Sequence, residues 1–192
     1  MTVNVNQFAM YMKNSKKKEN KMKNGCLLIS FCGLLLIPFI CVQTYCTIQD
    51  VRMNQGCLGH LKRAADASTV EMALSELTLA TNYLEANRLV SGNTSILWET
   101  PNNDIGYWYQ NLKSSEDELR KVDHSTSQTE RTNVLMKLRE TVLDHGEKGD
   151  YITCPDNIEI YPSQVFIFSS WLATLLLAFA AVIVGFLVIQ DL

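Results

Sequence analysis

Positive charge is in short supply in this sequence: seventeen Lys and Arg face twenty Asp and Glu across 192 residues, a formal net charge of −3. A pI near 5.6 argues against a nucleic-acid-binding protein, which needs a basic surface to neutralise phosphates. Charge of either sign is sparse, at 19% against 47% hydrophobic residues, and that balance excludes a disordered chain. Catalytic signatures are missing as well, with no H-E-x-x-H, G-x-S-x-G or P-loop pattern. His60, His124 and His145 are too scattered for a recognised motif and read as solvated surface residues. Neither Cys57 nor Cys154 has a C-x-x-C partner, which argues against zinc. The sequence therefore predicts no enzyme, no cofactor and no metal site.

Two uncharged apolar runs stand out instead. Residues 165–189 (VFIFSSWLATLLLAFAAVIVGFLVI) number twenty-five, enough for a helix about 37 Å long at 1.5 Å per residue. A hydrocarbon core about 30 Å thick is crossed by such a helix with some tilt. The first run, residues 26–42 (CLLISFCGLLLIPFICV), has seventeen and reaches full thickness only by extending towards Ile48. Pro38 removes one backbone donor within it and predicts a kink. A cleaved signal peptide is the competing reading, but no A-x-A-like site follows the run and it exceeds the usual h-region. An uncleaved anchor fits better.

Loop charge sets the orientation. Lys13, Lys16, Lys17, Lys18, Lys21 and Lys23 precede the first run against Glu19 alone, whereas residues 50–163 hold eleven Lys and Arg against eighteen Asp and Glu. Cytoplasmic flanks carry the basic excess. The expected organisation is a basic cytoplasmic tail at 1–25, a first transmembrane helix at 26–48 and an extracytoplasmic helical bundle at 49–163. A second transmembrane helix at 164–189 and a cytoplasmic end at 190–192 complete it, with no output domain expected on this chain.

Within the external region helical periodicity dominates and strand alternation is nearly absent. Val70, Ala73, Leu77, Ala80 and Leu84 form one stripe; Ile105, Trp108, Leu112, Ser115, Leu119 and Val122 form a second; Val134, Leu135, Leu138 and Val142 a weaker third. Each places apolar side chains on one helix face. Between Ala65 and Val70 the step is five, so the buried face jumps, and a break near 66–68 gives four external helices at about 52–66, 69–88, 101–123 and 127–146. Three helices are the alternative. Ser68 with Glu71 and Ser127 with Glu130 have capping-box spacing, Thr100-Pro101 reads as a helix start, and Gly146 after His145 as a helix end. The fold class is all-α: two transmembrane helices flanking an antiparallel bundle, with residues 147–163 as an extended strap before the second span.

Binding features are fewer. The tract WETPNNDIGYWY (98–109) gathers four aromatics; Trp108 belongs to the buried stripe, while Trp98, Tyr107 and Tyr109 are candidates to bind a partner or to pin the loop by packing. Tyr45, Tyr161 and Trp171 suit the outer headgroup level. Cys57 and Cys154 are placed either to form one disulfide across the external region or to remain two thiols. The run Glu116-Asp117-Glu118 reads as a solvated face. Ser169, Ala173, Ala181 and Gly185 recur at multiples of four, which permits close helix approach to the first span, a second copy or another subunit.

The tracts LKRAADASTVEMA (61–73), TSILWETPNNDIGYWYQNLKSS (94–115) and IEIYP (158–162) resemble recurring tracts of a family of small bacterial two-span membrane proteins with a helical external domain. The resemblance implies a bacterial inner-membrane protein and carries no activity with it. The expected function is non-enzymatic: an external domain that binds or scaffolds a protein partner, or a second copy, as an accessory subunit of an envelope complex. Membrane lipid is the other expected contact, and nucleic acid is not a partner. A chemoreceptor-like ligand-sensing input domain signalling through a partner chain is the alternative, and a membrane-surface enzyme a distant third.

Overall fold

The computed structural model describes residues 5–190 except 124 and 148; the side chains of 5–9, 14, 20–22, 24–36 and 184–190 lie outside that description. The protein is 74% helix and 6% strand. Its elements in chain order are α1 (Val5–Met53), α2 (Gly59–Ala65), α3 (Val70–Ala86), α4 (Ile105–Lys121), α5 (Gln128–Val142), β1 (Leu143–Gly146), β2 (Gly149–Ile152) and α6 (Gln164–Gln190). They fall into two compact units, residues 44–168 and residues 1–43 with 169–192.

In the unit 44–168, α1 runs into α2 through one π-helical turn, Asn54–Leu58, so the helix expected at 52–66 is a continuation of α1. The π turn has a packing reason. Met53, Cys57 and Leu61 are all fully buried, yet two steps of four drift about 80° off one face of a regular helix. The wider turn takes up that excess and keeps the three side chains on one side. Gly56 in this turn lies against the Tyr83 ring, whose atoms stand 2.1 and 2.2 Å from where a Cβ would be. Gly56→Ala is therefore expected to cost about 1–3 kcal/mol through overpacking. Thermal unfolding of the full chain in detergent measures the loss, and adding Tyr83→Leu should recover most of it.

α2 ends at Ala65, with Asp66 as its C-cap, and α3 starts after Thr69, so the break anticipated from the five-residue step is present. The cap is Thr69, accepting from Met72 N at 3.2 Å, rather than Ser68. Asp104 likewise caps α4, accepting from Tyr107 N at 3.0 Å. Thr100-Pro101 instead opens a single 3-10 turn, Pro101–Asn103, which closes the loop that pairs Asn93 with Asp104 before α4 begins. Ser127 caps α5 as expected, accepting from Glu130 N at 3.2 Å. α2 packs on α3 and α5, and α4 on the same two helices, so the four close around one core. Its centre is Leu61, Ala73, Leu77, Ala80, Leu84, Ile105, Leu112, Leu119, Leu138 and Val142.

Two expectations fail beyond Val142. Gly146 does not end a helix: α5 stops four residues earlier and residues 143–152 form an antiparallel hairpin pairing Leu143 with Ile152 and Gly146 with Gly149. Leu143 is buried there, while every other β1 residue faces solvent. Segment 147–163 is consequently no extended strap. It supplies β2 and a 3-10 turn, Ile158–Ile160, that sinks Ile158 into the core. Tyr161 is half-buried with its hydroxyl over Gly92, at φ +111°, a close approach that only a residue without Cβ permits.

In the unit formed by 1–43 and 169–192, Phe39 and Trp171 meet edge to face with ring centroids 4.8 Å apart. The half-buried positions of α6 described there are Ser170, Thr174 and Ala181; Ser169 and Ala173 are exposed, and the surroundings of Gly185 lie outside the described residues. Among the described residues one helix, over Gln164–Ile183, is long and apolar enough to cross a membrane. The side chains of most of the first apolar run fall outside them.

Candidate functional site

Capping by Asp104 fixes the first turn of α4, and the turn sends its aromatics in three directions. Trp108 points inward, with its Nε1 donating to Thr153 O at 2.7 Å. Tyr109 is half-buried and donates to Glu85 Oε1 at 2.6 Å. Burial first, and then that hydrogen bond, push its phenol up to about 12. Tyr109 is thus committed within the bundle. Tyr107 is 65% exposed and stands free for contact. Trp98, 73% exposed, sits away from this face on the preceding loop.

Tyr107 borders an open groove of about 400 Å³ between the first half of α4, the hairpin and residues 153–156. Trp108 and Leu112 provide apolar floor, while Asp104, Asp144 and Asp156 provide carboxylates, with no described Lys or Arg in the lining. Asp144 is held by two bonds, accepting from its neighbour His145 N at 2.7 Å and from the Tyr151 hydroxyl at 3.1 Å. Such a surface attracts cationic groups and offers an aromatic edge to hold them. Cys154 also lines the groove. Burial, followed by the charges of Glu159 and Asp156, pushes its thiol up to about 11, so it is a poor nucleophile at neutral pH.

Cys57 and Cys154, proposed above as a bridge or as two thiols, pack against the same core and both carry free thiols here. Burial drives Cys57 up to about 12, with the charge of Cys154 a smaller cause in the same direction.

Two further polar clusters lie inside the bundle. Glu116 is 1% exposed, not on a solvated face. Its carboxylate accepts from Thr78 Oγ1 (3.1 Å), Thr81 Oγ1 (3.0 Å), Lys113 Nζ (2.9 Å) and Arg120 Nη2 (2.5 Å). Burial alone would raise its pKa, but the four donors outweigh that and bring it to about 2. His60 is half-buried rather than solvated, with Nδ1 2.7 Å from Glu76 Oε2, and Arg63 pairs with the other oxygen at 2.5 Å. His145 lies on the exposed hairpin, 2.7 Å from Asp150, and His124 lies outside the described residues. Among the described residues no three His, Cys, Asp or Glu are grouped to hold a metal ion.

The sequence pointed to Tyr107 but not to Asp144 and Tyr151, which the unforeseen hairpin brings opposite α4, nor to Asp156 in the segment that follows it. No family model, curated protein or solved structure matches the chain, so the resemblance to small bacterial membrane proteins rests on its three tracts.

Proposed function

We propose that this is a non-enzymatic integral membrane protein whose external bundle binds a partner protein through the groove beside Tyr107, as an accessory subunit of an envelope complex. The observation that carries this reading is an aromatic side chain left 65% exposed at the rim of a groove with three carboxylates and no described basic residue. Aromatic anchors beside a charge-complementary rim are what protein interfaces concentrate. The partner segment would present Lys or Arg.

The topology belongs to the same proposal. Two spans, formed by residues 26–48 and by α6, hold both termini in the cytoplasm of a bacterial inner membrane and residues 50–163 outside. The edge-to-face contact of Phe39 with Trp171 supports a paired hairpin of the two apolar segments. Six lysines before the first span, against an external region with a surplus of seven acidic side chains, support its direction.

A photo-crosslinking residue at Tyr107, with one at Met136 on the exposed side of α5 as control, tests the partner reading in native membranes. A discrete adduct is expected from position 107 and none from 136. Equal yields, or no adduct from either with the protein running as a lone monomer, overturn it. The groove volume also falls within the roughly 300–1,000 Å³ of small-molecule sites, which is what favours ligand sensing as a second reading. An organic cation that stabilises the wild type but not Tyr107→Ala would decide for it.

A further inference from the structure

The loop between α3 and α4 carries Ile96, Leu97 and Trp98 in succession. Leu97 is 71% and Trp98 73% exposed. Three adjacent outward apolar side chains on a polar bundle call for something to cover them. We propose that this loop is a lipid-seated wedge, with Leu97 and Trp98 lying in the outer headgroup region of the same bilayer that α6 enters. The proposal rests on reading α6 as a membrane span.

What directs it to lipid is where the loop is fastened. Its base is closed by Asn93 Nδ2 to Thr100 O at 3.0 Å, Asn103 Nδ2 to Ser95 Oγ at 3.0 Å and Thr94 N to Asn103 O at 3.0 Å. These bonds leave residues 96–99 as a short protruding tip. The closed base is in turn fixed to the start of the apolar helix. Asn93 O accepts from Gln164 Nε2 at 3.4 Å, and the Tyr161 hydroxyl packs over Gly92. Gln164 is the first residue of α6, and Val165, Phe166 and Phe168 directly after it are exposed apolar side chains.

Distance then constrains the tip. Trp98 is two residues from Thr100, so no more than about 7 Å of chain separates it from the clamp. A bilayer of 40–45 Å with a 30 Å hydrocarbon core leaves an interfacial layer of about 5–7 Å on each side. A tip this short, anchored to the first residue of the span, is long enough to reach that layer and too short to pass far beyond it. Tryptophan is the side chain most suited to it, with an apolar body and one indole donor for headgroup oxygens. Glu99 at the end of the tip holds the wedge at headgroup depth, since a carboxylate is costly in hydrocarbon.

Fluorescence of the full chain in phosphatidylcholine vesicles tests this, with lipid brominated either near the headgroup or near the chain end. The chain has three tryptophans, so Trp98 is isolated by comparing Trp171→Phe with Trp171→Phe/Trp98→Phe. The Trp98 emission is expected to fall at least twofold with headgroup-proximal bromine, and less with bromine near the chain end. It should also resist aqueous acrylamide. Trp98 open to acrylamide and indifferent to bromolipid overturns the wedge. So does protection that appears in native membranes and not in pure lipid, since a protein then covers the tip. The wild-type Trp171 signal separates the two levels. If bromolipid quenches Trp171 and not Trp98, the wedge alone fails; if it quenches neither, the span reading fails with it.

Discussion

Glu116→Gln is expected to lower the stability of the bundle by about 3 kcal/mol, a Tm drop of roughly 10 °C for a unit of this size. The reason is the number of donors that converge on a carboxylate with 1% exposure. Thr78, Thr81, Lys113 and Arg120 use both oxygens. An amide presents one acceptor oxygen and turns two hydrogens towards two cations. Lys113 and Arg120 reach water and recover part of what they lose, and the fully buried Thr81 hydroxyl keeps Thr78 O at 3.2 Å as an acceptor, so the loss falls mainly on the charge-assisted bonds to the carboxylate. Acid should reproduce the effect in the wild type. Because the folded pKa is depressed to about 2 from an ordinary 4.5, the contribution is complete above about pH 4.5. It is lost as pH falls towards 2, and amounts to about 3 kcal/mol at 1.36 kcal/mol per unit. Thermal unfolding of the full chain in detergent at pH 7 and near pH 2 reads both effects. The variant should be the less stable at pH 7 and close to the wild type near pH 2. Parallel acid curves with a gap under 0.5 kcal/mol would refute the network's role.

Glu116 also shows why part of the core escaped the sequence. Leu112, Glu116 and Leu119 keep the spacing of a buried stripe, but a glutamate followed by two more acidic residues invites assignment to a wet face. The compensating signal was present: Lys113 and Arg120 stand three before and four after, where helix geometry brings them together on one side. The α-helices themselves were legible because their apolar stripes obey 3–4 spacing, and the break after Ala65 because that spacing fails there. The hairpin was not. Only Leu143 and half-buried Ile152 face the protein among its eight residues, so there is no alternation to read. Asp144-His145-Gly146 moreover resembles a helix end. Missing the hairpin meant missing one wall of the groove, since Asp144 and Tyr151 reach α4 only through it. The wedge loop was visible as an aromatic cluster, but its fastening to Gln164 depends on side-chain bonds between residues seventy-one positions apart.

The second large effect belongs to Trp108, which joins the core to that groove. Trp108→Ala is expected to cost about 3–5 kcal/mol, the usual penalty for emptying a buried aromatic site. Two contributions are separable. The ring fills space in the core beside Ile105 and Leu112, and its Nε1 holds Thr153 O at 2.7 Å. Trp108→Phe keeps most of the first and deletes the second, so it should lose only about 1 kcal/mol. Thr153 carries a second tie, its own N donating to Val142 O at 2.8 Å, and the residue is exposed, so a carbonyl released by the indole can turn to water. Cys154 reports on the segment directly. Its thiol is half-buried and pushed up to about 11, so alkylation in the folded protein is slow and accelerates when residues 153–158 lift from the bundle. Site-resolved mass spectrometry after a timed alkylation should show Cys154 labelled at least several-fold faster in Trp108→Ala than in wild type, with Trp108→Phe between them. If Trp108→Ala unfolds at a lower temperature while Cys154 labels at the wild-type rate well below it, the indole is only core filler. The wall of the groove would then have to be held by the hairpin alone.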